Sequence, residues 1–358
     1  MNTKNQRVSK KAGVIKIGID MHLSNYRVVR QIDHSNPEPA QKFKPVVFFL
    51  WLAKQLGIAE EVVVCYEAGC FGYQPARRMQ KMGVKVYVIA PQNWDEQGKR
   101  QVNDKHDAQV ICRRLSEYLA GHEKALSIVR IPSPQEEERR ARGRLREQMQ
   151  RELRRIQAMG RSLLLQWEMP VRGRWWAQLS WPGIVKAVPP WVITQLESWQ
   201  VIIEAIEEQL GKIEAELRAA APRKLLFGEG ELTHELLARE LIDPARFRNA
   251  RQVGNYFGLC PSESTSDQRR RLGAITKHGN PRLRRLLVEM AWRITRFQPN
   301  YRGLRRWGAL LENRTASAAA RKKAIVALAR QLAVDLWRIA TGRVRPEELG
   351  LVQKVRLN

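Results

Sequence analysis

The run VIKIGID at residues 14–20 is apolar, rich in isoleucine and ends in a carboxylate, Asp20. A second run, EVVVCYE at residues 61–67, has the same character and ends in Glu67. β-Branched residues favour extended backbone, and short apolar runs of this length are typical of buried strands. Two such strands, each ending in an acidic residue, are what a nuclease-type fold uses to gather metal ligands.

A third acidic motif is NDKHDA at residues 103–108, in which Asp104 and Asp107 are three apart and therefore neighbours on one helical face. Mg²⁺ prefers carboxylate oxygens, and two such ions about 4 Å apart stabilise both oxygens of an in-line displacement at phosphorus. Taken singly, each of these residues could be an ordinary solvated side chain. Taken together, they predict a Mg²⁺ site with the ligands Asp20, Glu67, Asp104 and Asp107.

The segments around these motifs alternate between strand and helix patterns. Residues 13–33 predict two strands joined by a tight turn at residues 22–25. Further on, the pattern predicts helices near residues 45–56, 73–82 and 103–118, and a short strand at 84–90. Such alternation predicts a helix-covered sheet, and the tight first turn makes its first two strands antiparallel. We therefore expect a mixed sheet in an α/β N-terminal domain.

The overall charge indicates the class of partner. The 358 residues include 63 Lys and Arg against 36 Asp and Glu, a formal net charge of +27. Such an excess favours nucleic acid as the partner, with an anionic membrane surface as the other candidate. The sequence contains no run of about 18 apolar residues, so it predicts no membrane-spanning helix.

The N-terminus and the cysteines indicate the compartment. The first eleven residues are basic and lead into a charged strand, unlike an apolar signal region. Because the cysteines form no zinc-type spacing, we expect buried thiols in a reducing cytoplasm. The cysteines are Cys65, Cys70, Cys112 and Cys260.

The middle of the chain is helical in pattern. After the break at Pro132, apolar residues recur at helical spacing over residues 135–166 and again over 190–221. Two long helices around a turn rich in proline and tryptophan predict a helical hairpin or coiled-coil arm. An ordinary helical subdomain fits the same pattern.

The tryptophans near this turn allow two interpretations. Their rings could stack on unpaired RNA bases, or they could fill a junction between helices. The second role is more common, so we expect a core position. The residues concerned are Trp167, Trp175, Trp176 and Trp181.

A second group of candidate residues lies between residues 258 and 281, which we predict to be a loop. Serines there stand directly before Arg269, Arg270 and Arg271, and arginine binds phosphate bidentately. A serine beside these cations could attack a phosphodiester. From spacing alone, the favoured interpretation is a basic loop that only grips the nucleic-acid backbone.

The end of this segment adds further cations. Residues 279–281 begin a predicted helix whose N-terminus could receive a phosphate. The candidate nucleic-acid contacts are Arg269, Arg270, Arg271, Lys277, Arg282, Arg284 and Arg285.

The chain resembles the bacterial insertion-sequence transposases of the DEDD type, also called bridge-RNA-guided serine recombinases. The segments IGID at 17–20, YEAG at 66–69 and VNDKHDA at 102–108 look like the three acidic motifs of this family. The segment VRIPS at 129–133 resembles its exit into a coiled-coil region, and residues 258–280 resemble its C-terminal signature, with GAITK at 273–277.

This resemblance implies three domains. An RNase H or RuvC-like catalytic domain would occupy residues 1–130, an all-α coiled-coil arm residues 131–240, and a mainly helical transposase domain residues 241–358. It also implies that the four acidic residues bind Mg²⁺ and that a site is composed from both end domains.

The resemblance further implies a nucleophilic serine that forms a covalent phosphoserine intermediate. In the family this serine lies within a Ser-Ser-Gly pattern, and its distance from Gly273 and Lys277 places it at Ser266. Here Thr265 stands for the first serine and Asp267 for the glycine. Ser264 and Ser262 therefore stay possible.

The partners implied are donor and target double-stranded DNA, a structured non-coding guide RNA, and further copies of the chain as a dimer or tetramer. Base pairing would select the sequence while the protein grips the backbone. The expected location is the bacterial cytoplasm, at the nucleoid when active. Two alternatives are a metal-dependent Holliday-junction nuclease without serine chemistry and a non-catalytic nucleic-acid scaffold.

Overall fold

The computed structural model describes residues 11–91, 104–266, 269–313 and 315–355. The chain divides into two compact units, Met1–Ser133 and Pro134–Asn358, which are described separately. The first boundary predicted from sequence lies close to this division. The further boundary predicted near residue 240 stays a prediction.

The first unit is built on a six-stranded sheet in the order β3-β2-β1-β4-β5-β6. The pairs β1–β4 and β4–β5 are parallel and the other pairs are antiparallel, so the predicted mixed sheet is confirmed. The amide of His22 donates to the carbonyl of Asn25 at 2.9 Å and closes the predicted first turn. The strands are β1 (Ala12–Met21), β2 (Tyr26–Ile32), β3 (Gln41–Phe43), β4 (Ala59–Glu67), β5 (Lys85–Ile89) and β6 (Ile128–Val129).

Helices cover both faces of this sheet, because β1 and β4 are apolar on both sides. One face packs Ile17 and Val64 against Phe48 and Met79 of the first two helices. The other face packs against the third helix in a smaller cluster that includes Cys65. The helices are α1 (Pro45–Ile58), α2 (Gln74–Lys81) and α3 (Asp104–Leu119).

The second unit begins with α4 (Pro134–Gln166), α5 (Trp181–Ala187) and α6 (Pro190–Ala219). Met149 of α4 lies in one cluster with Ile213 of α6, whereas Leu163 lies in another cluster with Val192. The two long helices therefore run antiparallel as a hairpin. A coiled-coil arm stays a prediction.

The turn of this hairpin contains the tryptophans. Trp175 is fully buried, and its indole N–H donates to the carbonyl of Gln157 at 3.0 Å. A Cβ at Gly160 would lie 2.2 Å from that ring, so only glycine leaves room for it. The predicted core position is confirmed for Trp175 and Trp176, whereas Trp167 is 39% exposed and the expectation was wrong for it.

The rest of the second unit is mainly helical. The elements are β7 (Lys224–Leu226), α7 (Glu231–Leu241), α8 (Ala250–Phe257), β8 (Pro261–Ser266), β9 (Arg269–Ile275), α9 (Pro281–Phe297), α10 (Gly308–Glu312), α11 (Ala318–Ala340) and β10 (Gln353–Val355). The largest core of this unit joins α8, α9 and α11 through residues such as Val253, Met290 and Leu332. Within the described ranges, no helix is long and apolar enough to span a bilayer.

Candidate active site

Two of the predicted carboxylates lie at adjoining strand ends. Ile19 of β1 pairs with Tyr66 of β4 in a parallel register, so the next residues, Asp20 and Glu67, follow side by side. Neighbouring strands are about 4.8 Å apart. Asp20 and Glu67 are both partly exposed. The register therefore brings together two residues that are 47 positions apart in the sequence.

The sheet face that carries Asp20 also contacts α3. A Cβ at Gly18 would lie 2.4 Å from the amide nitrogen of Cys112, so the helix backbone rests directly on this strand. Nearer the start of β1, the Lys16 ammonium donates to the Ser116 hydroxyl at 2.9 Å. Lys16, Gly18 and Asp20 alternate along the strand and so share this face.

The packing also fixes which end of α3 lies beside Asp20. The contacts run from Ser116 opposite Lys16 to Ala108 and Cys112 opposite Gly18. From Gly18 to Asp20 the strand advances by two residues, or roughly 6.8 Å. A helix needs about four to five residues to cover the same distance. Asp20 therefore lies beside the first turns of α3, the part of the helix that contains Asp104 and Asp107.

His22 is a residue that the sequence reasoning missed as part of this site. Its Nε2 lies 2.9 Å from the Oδ2 of Asp20, whose side chain is 22% exposed. His22 directly follows β1 and stands two residues after Asp20, and this short separation was the signal that the sequence offered. The imidazole can hold the carboxylate in one orientation.

The side chains at this end of the sheet can be compared with the needs of a metal ion. Among the described residues, no group of three or more His, Cys, Asp or Glu side chains is close enough to hold a metal ion. The side chain of Asp104 lies outside the described set. Oxygen donors at adjoining strand ends agree in chemistry with Mg²⁺, and a complete ligand set stays a prediction.

The two buried cysteines of the first unit, Cys65 and Cys112, add no anionic ligand. Burial raises the pKa of Cys65 far above its ordinary value and raises that of Cys112 to about 11, so both stay protonated at neutral pH. All four cysteines are free thiols. The predicted burial was wrong for Cys70, which is exposed because it follows the strand end in a surface turn, and Cys260 is half-buried.

The second candidate region is a β-hairpin, whereas the sequence predicted a loop. Its strands are β8 and β9, and the register places Ser266 opposite Arg269, Thr265 opposite Arg270 and Ser264 opposite Arg271. The prediction failed because the segment is polar and lacks the apolar alternation of a half-buried strand. The backbone pairing therefore brings the serines and arginines to matching positions.

Ser262 differs from the other two candidate serines in its environment. Its hydroxyl donates to the carbonyl of Ala274 at 3.1 Å. A Cβ at Gly273 would lie 2.4 Å from this hydroxyl oxygen, so a side chain there would turn the Ser262 hydroxyl away from its present position. Ser262 thus stabilises the base of the hairpin. The side chains of Ser264 and Ser266 lie outside the described set.

The root of the hairpin is held by the glycine-rich segments around it. Gly258 ends α8 with a φ of 64°, which favours glycine. A Cβ at Gly279 would lie 2.5 Å from the carbonyl oxygen of Tyr256, so the two backbones touch. Asn280 caps α9 by accepting from the amides of Arg282 and Leu283. These residues fix the backbone at the root of the hairpin.

The arginines that open α9 make contacts within the protein. Arg285 pairs with Glu147 of α4 at 3.1 Å, and Arg282 hydrogen-bonds the same carboxylate. Arg284 donates to the carbonyls of Phe257 and Lys277, both at 3.2 Å. Burial alone would raise the pKa of Glu147, but the two arginines lower it overall. Nucleic-acid binding by these arginines stays a prediction.

Comparison with known proteins adds the family context. Residues 226–305 match the family described as Transposase IS116/IS110/IS902 family. The protein y4rJ of Sinorhizobium fredii, named as a transposase, is 29% identical over 308 residues, which cover 79% of this chain and 78% of that protein. This chain is similar to insertion-sequence transposases.

Other transposases show the same extent of similarity. The transposase for insertion sequence element IS1328 of Yersinia enterocolitica is 26% identical and covers 78% of this chain and 83% of its own length. The transposase for IS1111A of Coxiella burnetii is 26% identical, with 74% of both chains covered. The similarity to transposases thus extends well beyond the segment that matches the family description.

Proposed function

We propose that this chain is a transposase that cleaves and exchanges the DNA strands of an insertion sequence, guided by a structured non-coding RNA. The observation that carries the proposal is the family match over residues 226–305, because this range contains the whole β8–β9 hairpin. The similarity to transposases over about three quarters of the chain agrees with it. The net charge of +27 suits a polyanionic substrate.

The first unit is proposed to be a RuvC-like catalytic domain whose acidic end holds Mg²⁺. The ligands would be Asp20 and Glu67 at the adjoining strand ends, with Asp104 and Asp107 from the first turn of α3. When bound, Mg²⁺ would offset the negative charge of the scissile phosphate. His22 would keep the Asp20 carboxylate oriented through their 2.9 Å contact.

The hairpin is proposed to supply the nucleophile, Ser266. Its hydroxyl oxygen forms a bond to phosphorus and loses its proton, while the bond from phosphorus to the sugar oxygen breaks and that oxygen takes up a proton. The product is a phosphoserine ester that a second DNA strand end can resolve by the reverse step. Arg269, Arg270 and Arg271 would stabilise charge on the phosphate oxygens, since arginine stays charged at neutral pH.

The partners follow from this chemistry. The cations around the hairpin, with Lys277, would grip backbone phosphates without reading bases, so base pairing with a guide RNA would select the donor and target DNA. Exchange between two duplexes requires several cuts, so at least a dimer is proposed. RNA that copurifies with the expressed protein, once sequenced together with the DNA beside the gene, would reveal the guide.

Trapping of a covalent adduct tests the proposal. Purified protein with its RNA, Mg²⁺ and end-labelled DNA of the element is expected to give a labelled protein band that survives denaturation. Ser266→Ala is expected to abolish this band, whereas Ser262→Ala should retain it because that hydroxyl already donates to Ala274. Ser264→Ala decides between the two remaining serines.

Two outcomes would contradict parts of the proposal. Cut DNA without an adduct would indicate a metal-dependent junction nuclease that uses water. Binding without any cut strand, with Mg²⁺ and RNA present, would indicate a scaffold.

A further inference from the structure

A pocket of about 430 Å³ lies in the second unit, beside the 3₁₀ turn Arg302–Arg306 and the end of α11. Its volume is within the range of small-molecule sites. Its wall includes the four arginines Arg302, Arg305, Arg306 and Arg338. None of them belongs to the hairpin or to the start of α9, so the pocket is separate from the cations discussed above.

Three of these arginines have no acidic partner among the described residues. No described carboxylate lies within ion-pair distance of Arg302, Arg305 or Arg306, and all three side chains are exposed. The guanidinium of Arg306 lies 5.5 Å from the ring centre of Trp307, which also lines the pocket. These guanidinium groups are therefore available to an external anion.

The two carboxylates of the pocket are already engaged. Glu348 accepts from Arg345 at 2.8 Å. Asp335 is 2% exposed and accepts from the Tyr301 hydroxyl at 2.7 Å and from the Gln331 amide at 3.0 Å. Buried carboxylates are stable only when hydrogen-bonded in this way. Asp335 is thereby satisfied inside the protein, with Arg338 as one of its partners. Glu348 is 47% exposed, and its pKa is lowered first by Arg345 and also by Arg302, so it offsets part of the charge of Arg302 and leaves that of Arg305 and Arg306.

Asp335 also orients one wall of the pocket. Its Oδ1 lies 3.2 Å from Nη1 of Arg338, a side chain that is 39% exposed. Burial and the charge of Asp335 raise the pKa of Tyr301, so its hydroxyl stays protonated and keeps donating. Arg338 is thus fixed by a buried anchor, and a group fixed in advance loses less entropy when a ligand binds.

We propose that this pocket binds a backbone phosphate of nucleic acid, with Arg302 and Arg305 as the exposed contacts and Arg338 as the anchored one. The inference rests on the proposed function for the identity of its ligand, because a phosphodiester is the anion that a transposase meets. Planar guanidinium groups suit the paired oxygens of a phosphodiester. The pocket extends the nucleic-acid surface beyond the hairpin to the turn after α9.

The test measures binding of fluorescent oligonucleotides of one sequence to the full chain, as single-stranded DNA, duplex DNA and RNA, over a range of salt concentrations. For R302Q/R305Q we expect about tenfold weaker binding, and a slope of log K against log salt that is smaller by about 1.4 for single strands and about 1.8 for duplex. R302K/R305K keeps the charge and should restore the slope, with weaker binding than wild type because lysine lacks the guanidinium fork.

The matched control is R151Q/R154Q, which removes the same charge from exposed positions of α4 in the same unit. A loss confined to RNA or to DNA identifies which backbone occupies the pocket, and a loss in all three shows a shared phosphate site. The phosphate site would be overturned if R302Q/R305Q left the salt slopes unchanged, or if the control lost as much affinity. In that case, normal binding and cleavage by the wild-type protein would leave the proposed function intact. Wild-type protein that binds none of the three oligonucleotides would overturn both.

Discussion

The acidic end of the first unit and the hairpin of the second are held by different kinds of contact. β1 has strands on both edges, and α3 rests on its Gly18, so the position of Asp20 depends on buried packing. The hairpin is a two-stranded sheet whose root is fixed by the bonds from Thr276 to Cys260 and from Asn280 to Tyr256. The first region should therefore be sensitive to changes in volume, and the second to changes in turns and caps.

The largest effects should come from the reacting groups themselves. Under the proposed function, in which Asp20 binds Mg²⁺ and Ser266 attacks the phosphate, Asp20→Asn and Ser266→Ala are each expected to lower strand cleavage by about 10³-fold or more. Cleavage of labelled element DNA measures this, and melting curves should match wild type.

The control for the acidic end is Glu61→Gln on the same strand as Glu67. Its carboxylate is largely exposed and pairs with Lys85 at 3.2 Å, so cleavage should stay within twofold of wild type. Normal cleavage by Asp20→Asn, or full cleavage in EDTA, would remove the metal role from this end of the sheet.

The next largest effect tests how tightly the sheet and α3 are packed. Gly18→Ala puts a methyl group against the backbone of Cys112 and should destabilise the first unit by about 2 kcal/mol or more. Gly57→Ala is the matched control, because no atom lies within 4 Å of its Cβ and alanine favours the helix. Urea unfolding measures both, and equal stability of the two variants would contradict the close packing.

A smaller effect is expected at the root of the hairpin. Asn280→Ala removes the cap of α9 and the donor to the buried carboxylate of Glu240, and should cost about 2 kcal/mol. Asn249→Ala removes only the cap of α8 and should cost about 1 kcal/mol. Thermal unfolding compares them, and an equal loss would show that the bond to Glu240 adds nothing.

The smallest effect concerns pH. Burial alone would raise the pKa of Glu240, and likewise that of Glu147, but their arginine partners hold both below the ordinary value of 4.5. The folded pKa is thus lower than the unfolded one, so this stability is complete above about pH 4.5 and is lost as the pH falls through the folded pKa. Urea unfolding between neutral pH and pH 3 measures it, and Glu147→Gln should make the acid loss shallower. An unchanged pH profile would show that these pairs are too solvated to contribute.

Much of the first unit could be predicted from its residues. The sequence predicted the mixed sheet and its two central strands, around Val14–Asp20 and Glu61–Glu67. These predictions were possible because short, β-branched apolar runs bounded by turn residues are typical of buried strands. The hairpin β8–β9 was missed because its residues are polar, and its pairing depends on the root between α8 and α9. Glu147 was missed because its partners, Arg282 and Arg285, are far away in the sequence and depend on how the chain packs.

The sequence alone determined which residue types were present: carboxylates after apolar runs, serines beside arginines, and an excess of positive charge. These properties depend on composition and local spacing. Only the tertiary structure decided that Asp20 and Glu67 lie side by side, that Arg282 and Arg285 share Glu147, and that Arg302 and Arg338 line one pocket. Contacts between residues that are far apart in the sequence arise from strand register and helix packing, and local patterns do not contain that information.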